Sequence, residues 1–134
     1  STLPEDSPLD ARIHDELVVD VPDDVELVDA IGGTVEIVRQ SWKLRLTDAL
    51  EQRTLQDRVF TYLLAAYAAN IVSQGERPPT VTRAELVDVF GGDAADDIAW
   101  HGWVRTFDNY AEIRPESLSH VTAELTRRYG SGDE

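Results

Sequence analysis

The chain has 134 residues, 42% of them apolar, so its length and composition fit one folded domain. It contains 26 acidic and 12 basic residues, for a formal net charge of −14, and no cysteine, which excludes disulfide bonds, thiolate catalysis and zinc–thiolate sites. Repulsion among so many like charges opposes a compact state at ordinary ionic strength. Molar salt screens this repulsion, because the Debye length there is about 3 Å. The composition therefore predicts a protein of a salt-rich cytoplasm, such as that of a halophilic archaeon.

The N-terminal thirty residues carry most of the excess charge. They contain ten acidic residues and one basic residue, a net charge of −9, whereas the rest of the chain has a net charge of −5. Pro4, Pro8 and Pro22 prevent one continuous helix here, and the apolar residues among 16–21 predict a short strand. We therefore predict three parts, listed here by residue number: an acidic N-terminal arm (1–24), a helical domain (25–130) and a tail (131–134).

The first part of the helical domain is ambiguous. The capping-box spacing of residues 23–26 and the pair Gly32-Gly33 predict a short helix between them. Residues 34–50 carry an apolar stripe with helical spacing, but 42–47 also alternates like a strand. We favour a helix over this stretch, with a β-hairpin as the alternative.

The clearest element is an apolar helix over residues 55–73. Thr54 and Asp57 have the spacing of an N-terminal capping box, and Gly75 ends the pattern. Residues 62–69 carry no charge on any side, which is typical of a helix that is buried all round. We therefore predict a mainly α fold, with four to five helices packed around this central helix and minor β structure in the N-terminal arm.

Residues 83–108 have the layout of a helix-turn-helix unit. A capped helix over 83–90 ends at Gly91-Gly92, and a second helix is predicted to begin near residue 94 and to run to about 108. An extended segment and a last helix from about Ser117 complete the predicted domain.

A helix-turn-helix unit raises the question of DNA binding. The second helix of such a unit should present Arg, Lys, Asn or Gln near its N-terminus to read bases. This helix presents Asp93, Asp96 and Asp97 instead, and aspartates repel phosphate. Only His101 and Arg105 are candidate DNA contacts, so DNA binding is the alternative and not the favoured interpretation.

Partner binding has its own candidate residues. Tryptophan is enriched at the energetic centres of protein interfaces, and the predicted second helix carries Trp100 and Trp103. The acidic arm contributes Asp20, Asp23 and Asp24 as candidate contacts to a partner subunit.

No catalytic or metal-binding motif is present. The three histidines are far apart in the sequence, and there is no phosphate-binding glycine loop, nucleophile elbow or dinucleotide fingerprint. The aspartates of residues 93–97 are explained by helix capping better than by a cation site, since the glycine and closing glutamate of an EF-hand loop are missing. We predict no enzyme activity, no cofactor and no bound metal.

These observations favour a non-catalytic interaction or assembly subunit of a halophilic archaeon or its virus, whose acidic arm lies on a partner subunit. The partner is a protein or another copy of the chain, and the alternative function is a helix-turn-helix transcriptional regulator. The longest nearly uncharged run, residues 59–72, is shorter than the ~20 residues that span a bilayer, and no basic-then-apolar leader is present. We therefore expect the protein in the cytoplasm or in a virus particle assembled there.

Overall fold

The computed structural model describes residues 22–130. Of these residues, 57% are helical and 15% lie in strands of two small antiparallel sheets. The prediction of a mainly α fold is therefore wrong, and the fold is mixed α/β. The elements in chain order are α1 (Asp24–Ile31), β1 (Val35–Ile37), β2 (Leu44–Leu46), a 3₁₀ helix (Asp48–Gln52), α2 (Leu55–Val72), β3 (Val81–Thr82), α3 (Arg83–Phe90), α4 (Gly92–Ala99), β4 (Val104–Phe107), β5 (Tyr110–Ile113), a second 3₁₀ helix (Pro115–Ser117) and α5 (Leu118–Tyr129).

Helix α2 forms the centre of the core, which confirms the predicted central helix. Its first turn is capped by the Thr54 hydroxyl, which accepts a hydrogen bond from the Asp57 N–H at 3.2 Å. The helix packs against α1, α4 and α5 and against both sheets. Because it is enclosed by these elements, side chains on every face, such as Thr61, Tyr62 and Leu63, are almost completely buried.

The favoured helix over residues 34–50 is wrong, and the alternative hairpin is correct. Strands β1 and β2 pair in antiparallel fashion, with Val35 opposite Leu46. The turn between them contains two residues with positive φ, Gln40 at 79° and Trp42 at 60°. A right-handed helix cannot pass through such residues, so the stripe with helical spacing does not form a helix.

The predicted second helix of the helix-turn-helix unit is also too long. Helix α4 ends at Ala99, and the residues up to 108 form a turn and strand β4. Strand β4 pairs with β5 across a tight turn that contains Asp108, whose φ is 53°. Strand β3 pairs with the other edge of β5, which gives a three-stranded sheet in the order β3–β5–β4.

A polar network joins the first turn of α2 to the last turn of α5. The buried carboxylate of Asp57 accepts hydrogen bonds from Arg128 Nη1 at 2.9 and 3.0 Å and from the Tyr129 hydroxyl at 2.6 Å. Beside it, Arg53 donates to the Thr61 hydroxyl at 2.8 Å, and its guanidinium lies 4.4 Å from the centre of the Tyr129 ring. The hydrogen bond to Asp57 raises the pKa of Arg128, while burial lowers the pKa of Arg53.

The predicted strand at residues 16–21, most of the predicted arm and the predicted tail lie outside the described residues. Between residues 22 and 130, no helix is both long enough and apolar enough to cross a membrane.

Candidate functional site

The helix-turn-helix unit is formed by α3 and α4. The Thr82 hydroxyl caps α3 by accepting a hydrogen bond from the Glu85 N–H at 3.1 Å. Gly91, at a φ of 98°, makes the turn into α4, a conformation that glycine adopts without the strain of a side chain. The two helices pack against each other, and β4 lies against α4.

The outward side of α4 is acidic. Its buried residues are Ala94, Ala95 and Ile98, which face the core. The opposite side carries exposed carboxylates, and Trp100 follows the last helical residue with 89% of its surface exposed. We call this surface the α4 face, and its residues are Asp93, Asp96, Asp97 and Trp100.

Apolar surface continues from the α4 face onto α2. Asp97 and the exposed Leu55 line the same shallow pocket between the two helices. The α4 face therefore combines negative charge with a large exposed aromatic ring and an aliphatic neighbour, and the aromatic ring is the residue type that is enriched at the centres of protein interfaces.

The basic residues near this face are paired with carboxylates. Arg83 forms an ion pair with Asp96 at 2.6 Å. On the β4–β5 hairpin, Arg105 forms an ion pair with Glu112, and this hydrogen bond raises the pKa of Arg105. Both arginines are partly exposed, and each is paired with a carboxylate of the same chain.

His101 and Trp103 lie in an aromatic cluster and not on the α4 face. The backbone N–H of Trp103 donates a hydrogen bond to His101 Nδ1 at 3.1 Å. The His101 and Trp103 rings lie 4.7 and 5.1 Å from Phe60 of α2, and the Trp103 ring lies 4.9 Å from His120 of α5. These contacts explain why Trp103 is half-buried while Trp100 is exposed.

The candidate residues of the arm are divided between described and undescribed parts. Asp20 lies outside the described residues. Asp23 caps α1, where its carboxylate accepts from the Glu26 N–H at 2.9 Å and the Glu26 carboxylate accepts from the Asp23 N–H at 2.9 Å. Asp24 lies in the first turn of α1. The structure thus places Asp23 and Asp24 on α1 and Trp100 at the end of α4.

An apolar groove lies between α1, β1 and the C-terminal end of α2. Its volume is about 480 Å³. Val28 and Val72 border it and are 68% and 57% exposed. We call it the α1–β1 groove, and its lining residues are Asp24, Leu27, Val28, Ile31, Gly33, Val35, Ile37, Ala68, Ile71 and Val72. Sequence reasoning missed this groove, because it arises where segments distant in sequence pack together.

Among residues 22–130, no group of three or more histidine, aspartate or glutamate side chains is arranged to hold a metal ion. No family model matches the sequence, and comparisons with curated proteins and with solved structures find no similar chain.

Proposed function

We propose that the protein is a non-catalytic interaction subunit, and that it binds a partner protein or another copy of itself through the α4 face. The acidic arm is the second contact in this proposal. The cytoplasm of a halophilic archaeon, or a virus particle assembled there, is the proposed setting, because molar salt would screen the chain's net charge of −14.

The proposal rests on the composition of the α4 face. A helix that reads DNA needs hydrogen-bond donors toward base edges and positive charge toward phosphate. The α4 face instead presents Asp93, Asp96 and Asp97, and Arg83 is already paired with Asp96. Trp100 is 89% exposed, so a partner that covers it would bury a large apolar surface. Helix α4 has the position of a DNA-reading helix in the unit, but its exposed side is therefore better suited to contact a protein than to contact DNA.

The mass of the full chain in molar KCl tests this proposal. We expect multi-angle light scattering to show an assembly larger than the monomer, or a stable complex with a protein from the source cells. Trp100→Ala should abolish this association. The matched control is Val38→Ala, between β1 and β2, which also removes an exposed apolar side chain but lies on neither proposed contact and should leave association unchanged. A monomer without any protein partner, or association that persists in Trp100→Ala, would contradict the proposal.

DNA binding is the second candidate, and the order of elements favours it. Helix α2, strand β3, the α3–α4 pair and the β4–β5 hairpin follow one another as they do in winged helix-turn-helix domains. Arg105 on the hairpin is the exposed residue suited to a phosphate contact, whereas His101 packs against Phe60. Fluorescence anisotropy with a labelled duplex across a range of KCl concentrations tests this candidate. Binding that weakens with salt and is lost in Arg105→Ala would support it.

A further inference from the structure

Strand β1 pairs with β2 along one edge, and no strand among residues 22–130 pairs with its other edge. In an antiparallel pair, opposite residues alternate between hydrogen-bonded and non-hydrogen-bonded pairs. The Thr47 N–H donates to the Thr34 carbonyl at 2.9 Å and the Val38 N–H to the Lys43 carbonyl at 2.8 Å, so Val35 and Ile37 are in non-hydrogen-bonded positions. Their backbone N–H and C=O groups therefore point away from β2.

This edge borders the α1–β1 groove, because Val35 and Ile37 are both among its lining residues. The side chains of α1 and of the end of α2 supply the other apolar walls. An extended segment can bind as an added strand where a free strand edge lies beside an apolar groove, because the backbone provides hydrogen bonds and the groove takes alternate side chains. Within residues 22–130 the outer edge of β1 meets both conditions.

The sequence before Pro22 has the chemistry and the position to be that segment. Pro22 is buried, and Asp24 two residues later lines the groove, so the described chain begins beside the groove. Leu17, Val18, Val19 and Val21 make residues 17–21 the most apolar stretch of the acidic arm. Five extended residues span roughly 16 Å, which exceeds the ~12 Å length of an eight-residue helix such as α1.

We propose that residues 17–21 bind in the α1–β1 groove of the same chain as an additional strand beside β1. With the alternation of a strand, Leu17, Val19 and Val21 face the groove, and Val18 and Asp20 face solvent. A short tether gives the segment an effective concentration of about millimolar, so even weak pairing is populated within one chain. This inference is independent of the proposed function of the α4 face, and it leaves Asp20 of the arm on the solvent side, where a partner can contact it.

Amide hydrogen exchange on the full chain in molar KCl tests the proposal residue by residue. The double variant Leu17→Asp/Val19→Asp should accelerate exchange at the Val35 and Ile37 amides by at least about tenfold. The matched control Val18→Asp, on the solvent side of the same segment, should leave both rates unchanged. The Thr47 amide, which is bonded to Thr34, reports the intact hairpin in every variant.

Three results would overturn the proposal. The first is an unchanged rate at Val35 and Ile37 in the double variant. The second is an equal acceleration in Val18→Asp, since a strand would not distinguish the two variants in that way. The third is protection that depends on protein concentration and coincides with a dimer mass, since a second copy would then cover the groove.

Discussion

The carboxylate of Asp57 should be worth more to the folded state than any exposed acidic residue of the chain. It is 2% exposed and accepts hydrogen bonds from Arg128 and Tyr129, which joins the start of α2 to the end of α5. Asp57→Asn keeps the shape and one acceptor oxygen but removes the charge. Hydrogen bonds to charged groups contribute about 1.5–3 kcal/mol, and the Arg128 side chain is 40% exposed and can rehydrate.

We therefore expect Asp57→Asn to lower the free energy of unfolding by about 2 kcal/mol, near the low end of that range. For a domain of this size the loss corresponds to a melting temperature lower by roughly 8 °C. Asp57→Ala should cost about 3 kcal/mol, because the Tyr129 hydroxyl also loses its partner. Urea unfolding followed by circular dichroism, in dilute and in molar KCl, measures both values.

The matched control is Asp93→Asn, which changes an aspartate in the first turn of α4 that is exposed to solvent. It should change the free energy of unfolding by less than about 0.5 kcal/mol. The effect of Asp57→Asn should persist in molar KCl, because salt screens buried pairs much less than exposed ones. If Asp57→Asn matches the control, or if its effect disappears in molar salt, the Asp57 network does not stabilise the fold.

Three further predictions concern other parts of the molecule. Gly32→Ala should lower the free energy of unfolding by about 1 kcal/mol or more, because the φ of Gly32 is 59° and the added Cβ would lie 3.1 Å from Arg53 Nη2. Gly92→Ala should not lower it, because the added Cβ would have open space there. Urea unfolding measures both variants. Burial and the hydrogen bond to Glu85 raise the pKa of Tyr62. Above pH ~10 the tyrosine therefore ionises in the unfolded chain before it ionises in the folded one, so the stability that it contributes is complete below pH ~10 and is lost above it. The free energy of unfolding of Tyr62→Phe should fall less steeply with pH in the alkaline range than that of the wild type. The free energy of unfolding of the wild type should rise from dilute to molar KCl as the net charge is screened, and a flat dependence would refute the halophilic interpretation.

The central helix could be predicted from sequence because its signals agree. A cap at Thr54, an apolar pattern on all sides and Gly75 after its end all indicate the same element. Residues 34–50 are harder to predict, because an apolar spacing compatible with a helix overlaps a strand-like alternation. In residues 94–108, apolar side chains continue past the end of α4 and suggest a longer helix. The residues that decide the outcome include Trp42 and Asp108 at positive φ. Aspartate is enriched in this conformation but tryptophan is not, so the residue type gives a signal only at the second turn.

The candidate site could be predicted from the sequence only in part. The acidic side of α4 follows from the spacing of its aspartates, which holds for a short helix as well as for a long one. The different environments of Trp100 and Trp103 cannot be predicted from the sequence pattern, because that pattern puts both residues on one continuous helix. The chain turns after Ala99, which directs Trp103 toward Phe60 and leaves Trp100 in solvent.

Photo-crosslinking from the α4 face is the most direct test of whether this face binds protein. Because the chain contains no cysteine, Asp97→Cys provides a single site for a cysteine-reactive photo-crosslinker, and Glu51→Cys on the exposed 3₁₀ helix provides the control. In extracts of the source cells in molar KCl, we predict a discrete protein adduct from position 97 that is absent from position 51 and is lost when Trp100→Ala is added. An adduct with nucleic acid from position 97, or the same adducts from both positions, would contradict the account.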